Sequence, residues 1–428
     1  MFFLKNSLQI NILYLKNFLF IFLFICPVYF WGIQIYKIDI RFLIIFLIFP
    51  ILYKFNFKQN DISLLIIGTV LFIHKLPYIN NDEIFYNLIL FLYLIILAKI
   101  LKVFYKFFLN TIDNQINIFL IIFIISSFLI TFYYYYFFNV ITSHCVIGCF
   151  STYKILYLEN SHLGMMASSL ILYCLYKVSI SKNKINFILL LTFFLICMFN
   201  YSLTFYAGLI FNSILLLLIF WKKINNKYLT YLIIVLLISF LSIANNKIHL
   251  VKIASIIHPV KIYLENIIYN KNFNNISDLR NNNLNDKIKL NKNLSSDVYL
   301  KGIKIMIKSI YNYPFGVGLN NYEFSHNKFI KDIDVDFNIT KELNIKDASF
   351  NFVKIISEFG VLSLIFFYLI VRFIFSKKID LQYKIFLLPN VISQLIFRGA
   401  GYFNGGFIMF VIVMILLVLQ KDKTSKNF

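Results

Sequence analysis

Apolar runs of roughly 20 residues, each long enough to carry a helix across a bilayer, recur along almost the whole of this 428-residue chain. A helix satisfies its own backbone polar groups where water is absent, so this repetition admits little besides a bundle of membrane helices. The composition agrees, since 60% of the residues are apolar, 19% aromatic and only 14% charged. So little charge cannot cover a water-soluble body. Read with a window of about 19 residues, the sequence predicts spans at 17–36, 40–53, 62–79, 84–104, 117–139, 161–178, 185–200, 203–220, 228–244, 349–371, 383–397 and 403–419. The expected fold is an all-α polytopic integral membrane protein with about twelve transmembrane helices and one large loop on the outer side.

Lysines set the orientation, because Lys and Arg gather in cytoplasmic loops. With the N-terminus inside, Lys5 and Lys16, Lys54 and Lys58, Lys99, Lys102 and Lys106, Lys182 and Lys184, and Lys222, Lys223 and Lys227 fall on one side. Arg372, Lys377 and Lys378, then Lys421, Lys423 and Lys426, join them, so both termini are expected in the cytoplasm. The net charge of +22 then reads as a topology signal, and no nucleic-acid partner is needed to explain it. The first apolar run leads into Pro27, Trp31 and more membrane sequence, without a small-residue cleavage site, so no cleavable signal is expected.

The chain divides into spans one to nine over 1–244, a polar loop over 245–348, and spans ten to twelve over 349–428. The first half of the loop is Asn- and Lys-rich filler. Its second half is patterned. "DVYLKGIKIMIKSI" sets Val298, Ile303, Ile305 and Ile310 among lysines at helical period, which predicts an amphipathic helix lying on the membrane surface. Pro314 ends that helix, and Gly316 and Gly318 permit the sharp path that leads to His326.

That helix, with "YPFGVGLNNYEF" after it and "SFNFVKIISEFGVLSLIFFYLI" opening the next span, resembles the shared signature of the O-antigen polymerase and O-antigen ligase superfamily over 298–371. "ENSHLGMMASSL" at the sixth span and "FRGAGYFNGG" between the last two are supporting matches. The resemblance implies transfer of a glycan from undecaprenyl diphosphate at the outer face of the bacterial inner membrane. It implies no cofactor, nucleotide or metal, with the lipid-linked oligosaccharide, membrane lipid and a chain-length regulator as partners. Such a reaction needs cations for the departing diphosphate and a base for the hydroxyl proton.

Few residues suit those roles. Arg398, at the outer end of the eleventh span between glycines, offers a forked donor to phosphate or else anchors the helix at the interface. His326 and Asp347 are rival bases, the one in the loop and the other opening the tenth span. Arg280 in the loop, Gly316 and Gly318 at the bend, and Glu159 and His162 at an outer helix entrance are candidates for substrate binding. Glu159 and His162 equally suit a helix cap around Ser161. Glu358 would be an acid inside the membrane, either functional or joining helices.

In ligases of the superfamily a histidine stands about eleven residues before the glycine of "EFG", where this chain has Ser349, and an arginine tends to follow the serine where it has Leu203. Both departures favour the polymerase. The rival from another class is a transporter or lipid-linked oligosaccharide flippase, for which neither a repeated half nor a charged interior pathway is visible. Cys145 and Cys149 beside His144 lack a fourth ligand for a metal, and read as a disulfide or as packing residues.

Overall fold

The structure, a computed structural model, describes residues 34–35, 38–39, 62–78, 84–138, 160–181, 184–199, 202–245, 294–333, 338–399, 401–402 and 407–419. The first two expected spans fall almost wholly outside them, apart from a two-residue antiparallel pair, β1 (Gln34–Ile35) with β2 (Ile38–Asp39). The rest is helix. In chain order the helices are α1 (Ile62–Lys75), α2 (Ile84–Phe138), α3 (Asn160–Ile180), α4 (Lys184–Phe199), α5 (Leu203–Phe220) and α6 (Asn226–Asn245). They continue with α7 (Leu294–Asn312), α8 (Tyr322–Phe329), α9 (Asn351–Phe359), α10 (Ser363–Phe375), α11 (Leu381–Ile396) and α12 (Phe407–Val418).

By length and composition, five helical stretches among the described residues suffice to cross a membrane: Tyr105–Leu129, Leu163–Ile180, Leu203–Lys223, Asn226–Asn245 and Asn351–Phe375. The molecule is a helical membrane protein. Its lipid-facing character shows in α1, where Ile66, Ile67, Val70 and Ile73 are each more than half exposed. An apolar row turned outward is stable only in an apolar solvent.

Two expectations need correction. The loop predicted between the fourth and fifth spans is helix, because nothing from Ile84 to Phe138 is Gly or Pro. Lys99, expected in that loop's cytoplasmic cluster, is buried within α2. A straight helix of that length would run about 82 Å against a hydrocarbon core of about 30 Å. It meets several helices along its length: Asn87 meets Lys75 of α1, Asp113 meets Lys177 of α3, and Asn117 and Phe123 meet Asn186 and Phe193 of α4. Asn110, Asp113, Asn114 and Gln115 interrupt the apolar sequence of α2 without ending the helix. The tenth span is likewise not one rod, since Gly360, at φ 51°, separates α9 from α10.

The core is built where α3, α5 and α11 meet. Small residues allow the approach: a Cβ on Gly164 would lie 2.6 Å from the Phe205 amide nitrogen, and one on Gly208 would lie 2.9 Å from Ser168 Oγ. α11 carries Pro389 inside the membrane, and polar groups gather beside that break. Ser169 Oγ donates to Asn390 Oδ1 at 2.8 Å, and Asn212 Nδ2 donates to Ser393 Oγ at 2.7 Å. At the far end of the bundle Lys177 pairs with Asp113 at 2.8 Å, and Tyr173 donates to the same carboxylate at 2.6 Å.

Candidate functional site

The polar segment packs against one end of the bundle. α7 is the amphipathic helix that the sequence predicts, but its buried positions, Asp297, Val298, Lys301, Ile305 and Ser309, recur at helical spacing and face protein. Ile305 packs with Tyr322, Phe329, Ile333, Ala348, Phe350 and Val353. The apolar stripe taken for a membrane contact therefore closes a small core with α8 and α9. That core also crosses the expected boundary at residue 348.

The glycine-bent loop after α7 is a socket. Gly316 and Gly318 have φ of 83° and 92°, and a Cβ on Gly316 would fall 2.2 Å from the Glu358 carbonyl oxygen. Only glycine fits there. The Gly318 amide donates to that carbonyl at 2.9 Å, and the Val361 amide donates to Pro314 O at 2.8 Å. Glu358 is fully buried, and its carboxylate accepts from the amides of Asn320 at 2.7 Å and Tyr322 at 2.9 Å. Lys354, one turn earlier, lies 3.3 Å from the same carboxylate and over the Tyr402 ring at 5.2 Å. From α1, buried Lys75 donates to Asn320 O at 3.2 Å and to Asn87 Oδ1 at 2.6 Å, while His74 Nε2 meets Phe315 O at 3.0 Å. The space beside both glycines is filled by Glu358 and Lys75.

Asp347 and Arg398 lie at the opposite end of α9. Ala348 and Ser349 both adopt left-handed backbone, with φ of 56° and 69°. Such a conformation costs an L-residue about 1–2 kcal/mol and persists only where the surroundings impose it. Here it turns the Ser349 carbonyl to the Gly399 amide at 2.9 Å, beside Arg398. Asp347 faces the same turn, because a Cβ on Gly401 would sit 2.8 Å from its Oδ1. Both side chains are partly exposed. Asn351 adjoins them: it is fully buried, its amide pairs with no protein atom among the described residues, and its Oδ1 lies 2.5 Å from where a Gly399 Cβ would stand. An unpaired buried amide costs about 1–3 kcal/mol, so its place beside the turn is kept against stability.

His326 sits elsewhere. It is 1% exposed, and its Nε2 lies 3.2 Å from Lys301 Nζ, which also donates to Thr340 O at 2.8 Å and to Leu343 O. Burial, then the Lys301 charge, pulls His326 down to about 4; burial pulls Lys301 down to about 8 against the opposing pull of Asp297. A neutral ring protonated on Nδ1 suits both of its contacts, accepting from Lys301 and donating to Asn327 Oδ1 at 3.3 Å.

The structure thus brings Asp347 to the Arg398 turn, places Gly316 and Gly318 at the far end of α9, and puts His326 inside the loop unit. Arg280, Glu159, Cys145 and Cys149 lie outside the described residues, as does the side chain of His162. Sequence reading missed Lys354, whose signal was a lysine four residues before Glu358 in an apolar run, and Lys75, which ends α1 inside the expected third span. Asn351 carried no signal, because an asparagine at a helix start reads as ordinary. The class these features define is a helical membrane protein with an ordered polar unit docked on one end. No family model, curated protein or solved structure matches the chain.

Proposed function

We propose that the protein is an O-antigen polymerase, a glycosyltransferase of the bacterial inner membrane that moves the growing glycan from undecaprenyl diphosphate to a new lipid-linked repeat unit. The resemblance over 298–371 supplies the reaction, and the observation that carries it is the meeting of Asp347, beside the strained backbone of Ala348 and Ser349, with the turn that holds Arg398. Asp347 takes the proton of the acceptor hydroxyl as its oxygen attacks the anomeric carbon. The bond from that carbon to the phosphate oxygen breaks, and the diphosphate leaves with the electron pair, held by the Arg398 guanidinium. His326 is enclosed with Lys301, so Asp347 is the better placed base. The segment 245–348 faces the periplasm and the lysine-rich end faces the cytoplasm.

Deleting the gene should remove the lipopolysaccharide ladder and leave one repeat unit on the core. Bare core with polymer accumulating on undecaprenyl diphosphate would assign a ligase instead, and an unchanged ladder would end the proposal. Topology is checked separately: reporter fusions at Lys223 and Lys378 should read cytoplasmic and one at Asn283 periplasmic. A cytoplasmic signal at Asn283 contradicts the assignment, because the donor is presented on the other face.

A further inference from the structure

A groove between α7 and α8 lies apart from the Arg398 turn. Its lining includes Ile307, Lys308, Tyr311, Asn312, Lys328, Phe329 and Asp332, and its cavity volume is about 530 Å³. That falls within the range of small-ligand clefts, about 300–1,000 Å³. Tyr311 stands at its rim with 88% of its surface exposed. A large ring left so open in water is a flat apolar face without a cover from the described chain.

The polar groups around the ring are already oriented. Lys308 Nζ lies 3.5 Å from Asp332 Oδ2 and donates to Asp332 O at 3.2 Å, while Asn312 Nδ2 donates to Lys308 O at 2.8 Å. Lys328 Nζ sits over the Tyr313 ring at 4.7 Å and donates to its hydroxyl. The groove therefore offers donors and acceptors together beside an aromatic plane. A phosphate is poorly served, since Asp332 is in the groove and already takes up the Lys308 charge. A sugar chain is well served: its hydroxyls both donate and accept, and its ring C–H face is apolar.

We propose that this groove is a glycan subsite, binding a stretch of the growing polysaccharide several sugars from its reacting end. Tyr299, which bonds Phe397 next to Arg398, and Tyr311 are twelve residues apart on α7, or about 18 Å along the helix. The proposal rests on the glycan-transfer reading above. It explains why the exposed ring lies at a distance from the turn.

The test is direct binding by the full-length protein in nanodiscs, read by calorimetry and saturation-transfer NMR. The probe is the delipidated surface polysaccharide of the cells that make the protein. Tyr311→Ala should weaken binding about tenfold and Tyr311→Phe should hold it within about twofold, because the ring and not its hydroxyl is the platform. The exposure of Tyr311 predicts unchanged thermal melting for both variants, which verifies the fold. Absent binding, or binding indifferent to Tyr311→Ala, overturns the subsite. Tyr311-dependent displacement of the polysaccharide by dihexanoylphosphatidylglycerol also overturns it, in favour of a lipid. Binding is read without turnover, so the two readings fail separately. A protein that binds through Tyr311 but fails the ladder test keeps the subsite and loses the reaction, whereas one that polymerises without such binding loses the subsite alone.

Discussion

Arg398→Lys should insert and accumulate like the parent protein yet lose most of the proposed polymer, with Arg398→Ala at least as defective. Lysine keeps the charge and loses the planar fork that holds two phosphate oxygens at once. Withdrawing a charge-assisted contact that strengthens as the diphosphate departs should cost about 2–4 kcal/mol, or roughly two to three decades in rate. The turn itself should survive, because the Ser349–Gly399 hydrogen bond is made by neighbouring backbone groups. The measurement is the lipopolysaccharide ladder at matched expression. A normal ladder from the lysine variant would reduce Arg398 to an interface anchor.

Glu358→Gln should loosen the whole polar unit without touching the proposed reacting groups. The substitution leaves Lys354 buried and charged without its partner, and turns an amide NH₂ toward one of two backbone donors. Breaking one side of such a pair costs about 3–5 kcal/mol. Hydrogen exchange should accelerate across residues 314–322, which Glu358 holds, more than in α3 or α11. Pairing the change with Lys354→Met should recover part of the protection, since no uncompensated charge is then left behind. Unaltered exchange in the single variant would show that the pair does not hold the loop.

The bundle was legible because lipid imposes one rule on every span, and α3 to α6, α11 and α12 fall within a few residues of their apolar runs. The run from Tyr105 to Gln115 misled, since Lys106, Asn110, Asp113 and Asn114 look like a loop while each tolerates helix when neither Gly nor Pro intervenes. α7 misled in the opposite way. Its periodicity gave the helix correctly, but periodicity reports that a face is covered and not what covers it, and the cover is α8 and α9. Asp347 and Arg398 were each visible as single residues. What joins them, the left-handed backbone at Ala348 and Ser349, has no sequence signature because neither residue favours that conformation.

The socket around Asn320 joins Lys75, Asn320 and Glu358, residues far apart in the order of synthesis. Since chains emerge N-terminus first, α1 waits with its lysine in place until Asn320, 245 residues further on, is made. The polar unit then leaves the ribosome before the acid that fastens it. Until Glu358 arrives, the glycine loop has only half its attachments. Maturation at this end of the molecule is thus timed by α9, and a chain truncated before residue 351 would hold its glycine loop to α1 through Lys75 and His74 without the acid that completes the socket.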